Sequence, residues 1–209
     1  MEIAEKERVI VYVDGFNFYF GLKKSGFERY LWLNTQELAK RLLKPNQALV
    51  HIKYFTALVN NNPEKRLRQK TYFQALSSLN DLTVYYGKFQ NQQRKCSVCG
   101  HTYMDNGEKM TDVGIATHII KDAFQDKFDM AMLISGDTDL IPPIRIVNEE
   151  IKDKRVFVAF PPNRSNDHVR SVASGSMIIG RKNLADSQFE DTVVIDTEGN
   201  TVLRPGTWA

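Results

Sequence analysis

The 209-residue sequence has only two cysteines, Cys96 and Cys99, too few for a disulfide framework. No apolar run approaches the ~20 residues that span a bilayer, which excludes a helical membrane protein. The opening residues, Met1-Glu2-Ile3-Ala4-Glu5-Lys6-Glu7-Arg8, are charged and carry no apolar core, so no secretory signal and a cytoplasmic location are expected. Internal repeats and low-complexity tracts are missing. Neither sign of charge dominates: 28 Lys and Arg against 25 Asp and Glu give +3, which permits a nucleic-acid partner without demanding one. What is present, 42% apolar and 11% aromatic residues, suffices for a real core and rules out a disordered chain.

Five short apolar runs recur, at residues 9–13, 50–55, 82–86, 130–134 and 156–160. The first, Val-Ile-Val-Tyr-Val, is unbroken and β-branched, as in a strand buried on both faces of a parallel sheet. Helical spacing fills the gaps at 35–43, 63–79 and 111–124, and again after Pro142-Pro143, where Ile144, Val147 and Ile151 align. The alternation predicts an α/β fold: a doubly wound, mostly parallel sheet of about five strands with helices on both faces. Residues 87–108 read as an over-long polar insert loop. Residues 186–209 read as a tail with a β-hairpin around Glu198-Gly199-Asn200, separate from a main domain at 8–180.

In open α/β sheets, ligands bind outside the carboxyl ends of the strands. Asp14 ends the first run, with Gly15 and Asn17 beyond it; Ser135-Gly136-Asp137-Thr138-Asp139 follows the fourth. Each acid taken singly reads first as a turn or helix cap; three at the carboxyl ends of two strands point to a site. Asp112 adds a third source. If Val113, Ala116, Ile120 and Ala123 mark the buried stripe of its helix, Asp112 lies within about 40° of that direction, at the tip facing the sheet. His118 falls on the far side and reads as a surface histidine. Four carboxylates at one mouth call for a hard cation, Mg²⁺ or Mn²⁺, and suit phosphodiester hydrolysis.

Three segments, Tyr12-Val13-Asp14-Gly15-Phe16-Asn17-Phe18-Tyr19, Glu108-Lys109-Met110-Thr111-Asp112-Val113 and Leu133-Ile134-Ser135-Gly136-Asp137-Thr138-Asp139-Leu140-Ile141-Pro142, together resemble the NYN domain, its LabA-like branch above all. The likeness covers about residues 8–160, and Arg204-Pro205-Gly206-Thr207-Trp208 resembles the ending of that branch. It implies a PIN-like fold and metal-dependent ribonuclease activity, with RNA, single-stranded or structured, as partner. It also implies that Asp14, Asp112, Asp137 and Asp139 bind metal, that Asn17 shapes the site, and that Ser135 and Thr138 stand beside it. The family often has an acid where this chain has His118. Two other readings stay open: an RNA-binding or regulatory module with little turnover, and a phosphatase-like hydrolase. Phe16 stands where the haloacid-dehalogenase pattern needs a second Asp, which argues against the latter.

Cys96-Ser97-Val98-Cys99-Gly100-His101 has the spacing of a metal knuckle, which suggests structural Zn²⁺ with His101 as third ligand. His51, His168, Asp105 or a second chain, as in a homodimer, would supply the fourth. Free thiols or a redox pair are the alternatives. Lys109, with Arg94 and Lys95 of the insert, is placed to rim the acidic mouth and bind phosphate. Lys65, Arg66, Arg68 and Lys70 read instead as a solvated helix face. Phe16, Phe18, Tyr19, Phe20 and Phe89 are candidates for stacking on bases, with core packing as the alternative for Phe16 and Phe20.

Overall fold

The structure is a computed structural model that describes residues 5–59 and 62–208; the side chains of 89–92, 94 and 103–108 lie outside that description. In chain order the elements are β1 (Glu7–Asp14), α1 (Gly15–Lys24), α2 (Thr35–Leu42), β2 (Gln47–Thr56), α3 (Pro63–Ser77) and β3 (Leu82–Tyr86). Then come β4 (Lys88–Lys95), β5 (Thr102–Lys109), α4 (Thr111–Phe124), β6 (Met130–Ile134), α5 (Ile141–Arg145) and β7 (Arg155–Phe160). The chain ends with α6 (Asp167–Val172), β8 (Ser176–Ile178), α7 (Arg181–Ala185), β9 (Thr192–Val194) and β10 (Thr201–Leu203).

The main sheet is six-stranded and parallel throughout, in the order β3-β2-β1-β6-β7-β8. Alternation along β1 divides the core. Val9, Val11 and Val13 face one side, where Phe18, Leu22, Leu38, Tyr72, Phe73 and Leu76 of α1, α2 and α3 cover the sheet. Ile10 and Tyr12 face the other, with Ile115 and Ile119 of α4, Ile144 of α5 and Val169 of α6. The hairpin β9–β10 forms as expected. The tail adds Phe189, Val202 and Trp208 to the first core, and Trp208 packs on Trp32 and Tyr72.

The expected α/β sheet of about five strands is present, with a sixth strand, β8, only three residues long and too short to leave an apolar run. Two other expectations are corrected. The insert at 87–108 is an antiparallel ribbon, β4 paired with β5, rather than a loop. Its sequence lacks the apolar alternation that marks a strand on a core. The buried stripe of α4 is Thr111, Ile115, Ile119, Asp122 and Ala123; Val113 is exposed, and Ala116 and Ile120 are half-buried. Asp122 is a charged residue within that stripe. It is buried because Tyr12 Oη donates to it at 2.7 Å and the Lys53 ammonium pairs with it. His118 is correspondingly half-buried, its Nδ1 3.1 Å from Lys53 Nζ and its ring against Tyr85.

β1 is central, with the chain turning to β2 on one side and β6 on the other, so the topological switch point lies between β1 and β6. Val13 pairs with Ile134, which sets Asp14 and Ser135 side by side. The backbone there is crowded. A Cβ on Gly15 would stand 2.8 Å from Phe55 O, and one on Gly136 would stand 1.8 Å from Arg164 O. We expect Gly136→Ala to destabilise the fold by about 1–3 kcal/mol or more, because the Arg164 segment must move. Gly206→Ala, with open space around it, is expected to stay within about 0.5 kcal/mol. Urea unfolding compares the two; equal stability of both variants would contradict the packing argument.

Candidate metal centre

Three elements meet at the switch point. Asp14 closes β1 and caps α1, its Oδ1 accepting the Asn17 N–H at 2.9 Å. Ser135, just past β6, donates its hydroxyl to Asp14 Oδ2 at 2.8 Å and accepts the Asp137 N–H at 3.1 Å. Asn17 Oδ1 accepts the Gly136 N–H at 3.1 Å, a second tie between the two strand ends. Asp112 enters from the first turn of α4, which Met110 starts in a left-handed conformation (φ 77°). One carboxylate oxygen from each of Asp14, Asp112 and Asp137 lies within 4.8 Å of the others. A cation about 2.1 Å from each ligand oxygen spaces those oxygens by no more than about 4.2 Å, so a group within 4.8 Å needs at most a small side-chain closure to hold Mg²⁺ or Mn²⁺. An all-carboxylate donor set also suits a hard divalent ion.

The electrostatics agree. Asp14 is 4% exposed, and burial pushes its carboxyl up from the ordinary 3.8 to about 6. The hydrogen bonds from Asn17 and Ser135 pull it down, and the charges of Asp112 and Asp137 raise it further. Asp112 is raised by burial, then by Asp137 and Asp139.

Other expected site residues fall outside the group. Asp139 is exposed and not one of the three converging carboxylates; its N–H donates to Asp137 Oδ1 at 3.0 Å, and its charge is felt at Asp112. It sits in the 3₁₀ turn at 138–140 that Asp137 caps. Thr138 is exposed on the same turn. Ser135 is 1% exposed, so it holds Asp14 rather than a substrate. Lys109 sits at the base of the ribbon beside α4. Lys95 pairs with Thr102 at the ribbon's other end, seven positions or about 24 Å of strand away. The side chains of Arg94, Phe89 and Asp105 lie outside the described residues.

Among the described residues, Cys96, Cys99 and His101 do not converge as a three-ligand group. His51 Nε2 is 2.9 Å from Thr83 Oγ1 in the sheet, and His168 is in the first turn of α6; neither joins the cysteines in such a group. Sequence reasoning missed Arg164. Its backbone packs on Gly136, and its Nε is buried with no hydrogen-bond partner among the described residues. The Pro161-Pro162-Asn163 turn before it gave no signal of that approach.

The raised Asp14 pKa has a direction in pH. Between about pH 4 and 6 the folded state binds more protons than the unfolded one, so stability falls as pH rises through that window. Above about pH 6 the full cost, about 3 kcal/mol, is present. Melting in chelator is therefore expected to show Asp14→Asn stabilised relative to wild type at pH 7.5, with the gain shrinking at pH 4.5. A gain equal at both pH values would assign the cost to something other than this carboxyl.

Comparison with known proteins bears on the same region. A solved structure of a protein of unknown function from Vibrio parahaemolyticus superposes with a TM-score of 0.60 at 20% identity, over 90% of this chain and 100% of that one, which shows the shared fold. The 6-hydroxy-3-succinoylpyridine 3-monooxygenase HspA of Pseudomonas putida is 23% identical over 197 residues, 78% of this chain. The match spans 62% of that relative's length. The NYN domain model matches residues 8–179, from β1 through the last strand of the main sheet and all three converging acids. On that match the chain belongs to the NYN domain family, within the PIN-like nuclease superfamily.

Proposed function

We propose that this protein is a metal-dependent endoribonuclease that hydrolyses RNA phosphodiester bonds, and that it stands near the LabA-like branch of its family. The observation that carries the reading is the convergence of Asp14, Asp112 and Asp137 from three separate elements at the switch point of an NYN-family sheet. These three hold Mg²⁺ or Mn²⁺, and Asp139 adds charge at the rim. A divalent cation there supplies positive charge for the phosphoryl oxygens and lowers the pKa of a water. Ser135 and Asn17 fix the orientation of Asp14, and the Gly136 N–H is committed to Asn17. Lys109, just before α4, and Arg164, whose backbone packs on Gly136, are the cations for phosphate, with Thr138 on the adjoining turn. Arg94 and Lys95, farther along the ribbon, attract the strand at longer range.

Two readings compete. An RNA-binding module would keep the site and turn over little. The name of the Pseudomonas relative points instead to a small heteroaromatic substrate; the aromatic cavity described below is the feature of this chain that such a substrate fits. The nuclease reading expects Mn²⁺-dependent cleavage of a single-stranded RNA. Asp14→Asn and Asp137→Asn are expected to lower it at least about 100-fold. Ser135→Ala, which acts through Asp14, is expected to lower it about 10- to 100-fold through weaker metal binding. RNA bound tightly by the wild type but left intact in Mn²⁺ would favour the regulatory module.

We also propose a zinc half-site at the ribbon tip. Gly100 takes φ +72° there, and Cys96 N–H donates to His101 O at 2.8 Å. The backbone N–H groups of Cys99 and Val98, and then the Cys99 thiol, hydrogen-bond the Cys96 sulfur and hold its pKa below the usual thiol range. Amides directed at a sulfur favour the thiolate that zinc requires. Two thiolates are half of a tetrahedral set, and the same turn of a second copy supplies the rest, making a homodimer. Protein purified without added metal is expected to contain about 0.5 zinc per chain and to become monomeric in chelator. Less than about 0.1 zinc per chain, or a dimer indifferent to Cys96→Ser, would overturn it.

A further inference from the structure

A cavity of about 290 Å³ lies between α1 and α3, on the face of the sheet opposite α4. Its walls are aromatic: Phe16, Tyr19 and Phe20 from α1, Tyr54 from β2, Phe73 from α3, and Trp208 from the tail. Its charged lining residues are Lys23, Lys65 and Arg68, with no carboxylate among them. Lys23 and Lys65 are exposed and Arg68 half-buried, and none of the three makes an ion pair among the described residues. Phe20 is 42% exposed, so part of the aromatic wall still faces water. Gln69 does not compete for a ligand, because its amide is spent bridging Val59 N and Ala57 O.

The placement of charge on α3 points the same way. After the Asn62 cap and Pro63, the helix carries Lys65, Arg66 and Arg68 near its N-terminus and no base in its last turn. The helix dipole disfavours cations at that end. Glu64 and the Asn62 cap offset only part of that cost, and a local rule broken this way marks positions kept for something other than stability. Two of those cations, expected to belong to a solvated face, line the cavity.

We propose that this cavity binds a planar heteroaromatic ring carrying an anionic group, the chemistry of a nucleotide. The volume lies at the lower end of the range for ligand pockets, enough for one ring system and its substituent. Aromatic walls stack on the ring whatever its edge pattern, and the three cations take the anion. Gly15 lines the cavity and follows Asp14 directly, so the pocket wall begins one residue from the metal centre. One source of such a ligand is a nucleotide of an RNA strand, which rests on the nuclease reading above. The other is a free heteroaromatic acid, which does not.

The test is binding in chelator, where no cleavage intervenes, so its outcome is independent of nuclease activity. The chain has two tryptophans, Trp208 on the cavity wall and Trp32 buried beside it, which gives a fluorescence readout. Uridine 5′-monophosphate, a short oligouridylate and nicotinate are titrated in parallel. We expect saturable quenching with dissociation constants below about 1 mM, weakened about tenfold by Phe20→Ala and by Lys65→Gln with Arg68→Gln. Neutral uridine is expected to bind more weakly than its monophosphate. Binding of the two nucleotides over nicotinate supports the proposal with RNA as source; nicotinate alone supports it with a small molecule as source. No quenching by any of the three at about 1 mM, or quenching indifferent to all three substitutions in variants with wild-type melts, would overturn it.

Discussion

The carboxylate of Asp14 is the interaction on which the site is built. It is a buried acid at the end of a central strand, and a lone charge there would be costly. Two hydrogen bonds hold it: one from the helix it caps, one from the hydroxyl that follows β6. Those bonds tie β1 to β6 at the switch point and orient Asp137 through the other side of Ser135. The same burial raises its pKa, so the site is strained in charge until something positive enters. A cost stored at one place in this way is one that a bound cation would relieve.

Asp112 depends on a second buried acid ten residues along the same helix. Asp122 is locked to Lys53 of β2 and Tyr12 of β1, inside the second core. That contact fixes the rotation of α4 about its axis, with Ile115 and Ile119 facing the sheet between the two acids. Rotating the helix by one residue, about 100°, would expose Asp122's unpaired charge and swing Asp112 out of the group. The aim of Asp112 at one end of α4 is therefore set by an ion pair near its other end.

The parts of this arrangement readable in the sequence are those that depend on neighbours along the chain. Residues 9–13 and 130–134 announce strands buried on both faces, and Asp14 and Asp137 follow from standing at their ends. Asp112 was found for a reason only half right, since the stripe inferred from Val113 is not the buried one. What determines the true stripe is Lys53, 69 positions from Asp122, and no local pattern reports such a partner. The ribbon β4–β5 was invisible for a related reason: strands outside the main sheet need not alternate polar and apolar residues. The Arg164 backbone packs on Gly136 only because that residue has no side chain, a fact of packing rather than of spacing.

The two faces of the sheet edge carry opposite charge. On the α4 side, three carboxylates converge within a few ångströms; on the α1 and α3 side, three cations line an aromatic cavity that contains no acid. Gly15 stands between them, and its missing Cβ lets α1 start against the Tyr54 ring and the Phe55 carbonyl without displacing either. A ligand that is anionic and planar is drawn to the second face, while a cation is drawn to the first, so the two can be held as neighbours without either site neutralising the other. Mutual neutralisation is what a single mixed cluster of Asp and Lys would produce, as Lys53 and Asp122 do in the core. The separation across Gly15 leaves the acids free for metal and the cations free for an anion, and it follows from one residue's lack of a side chain at the end of β1.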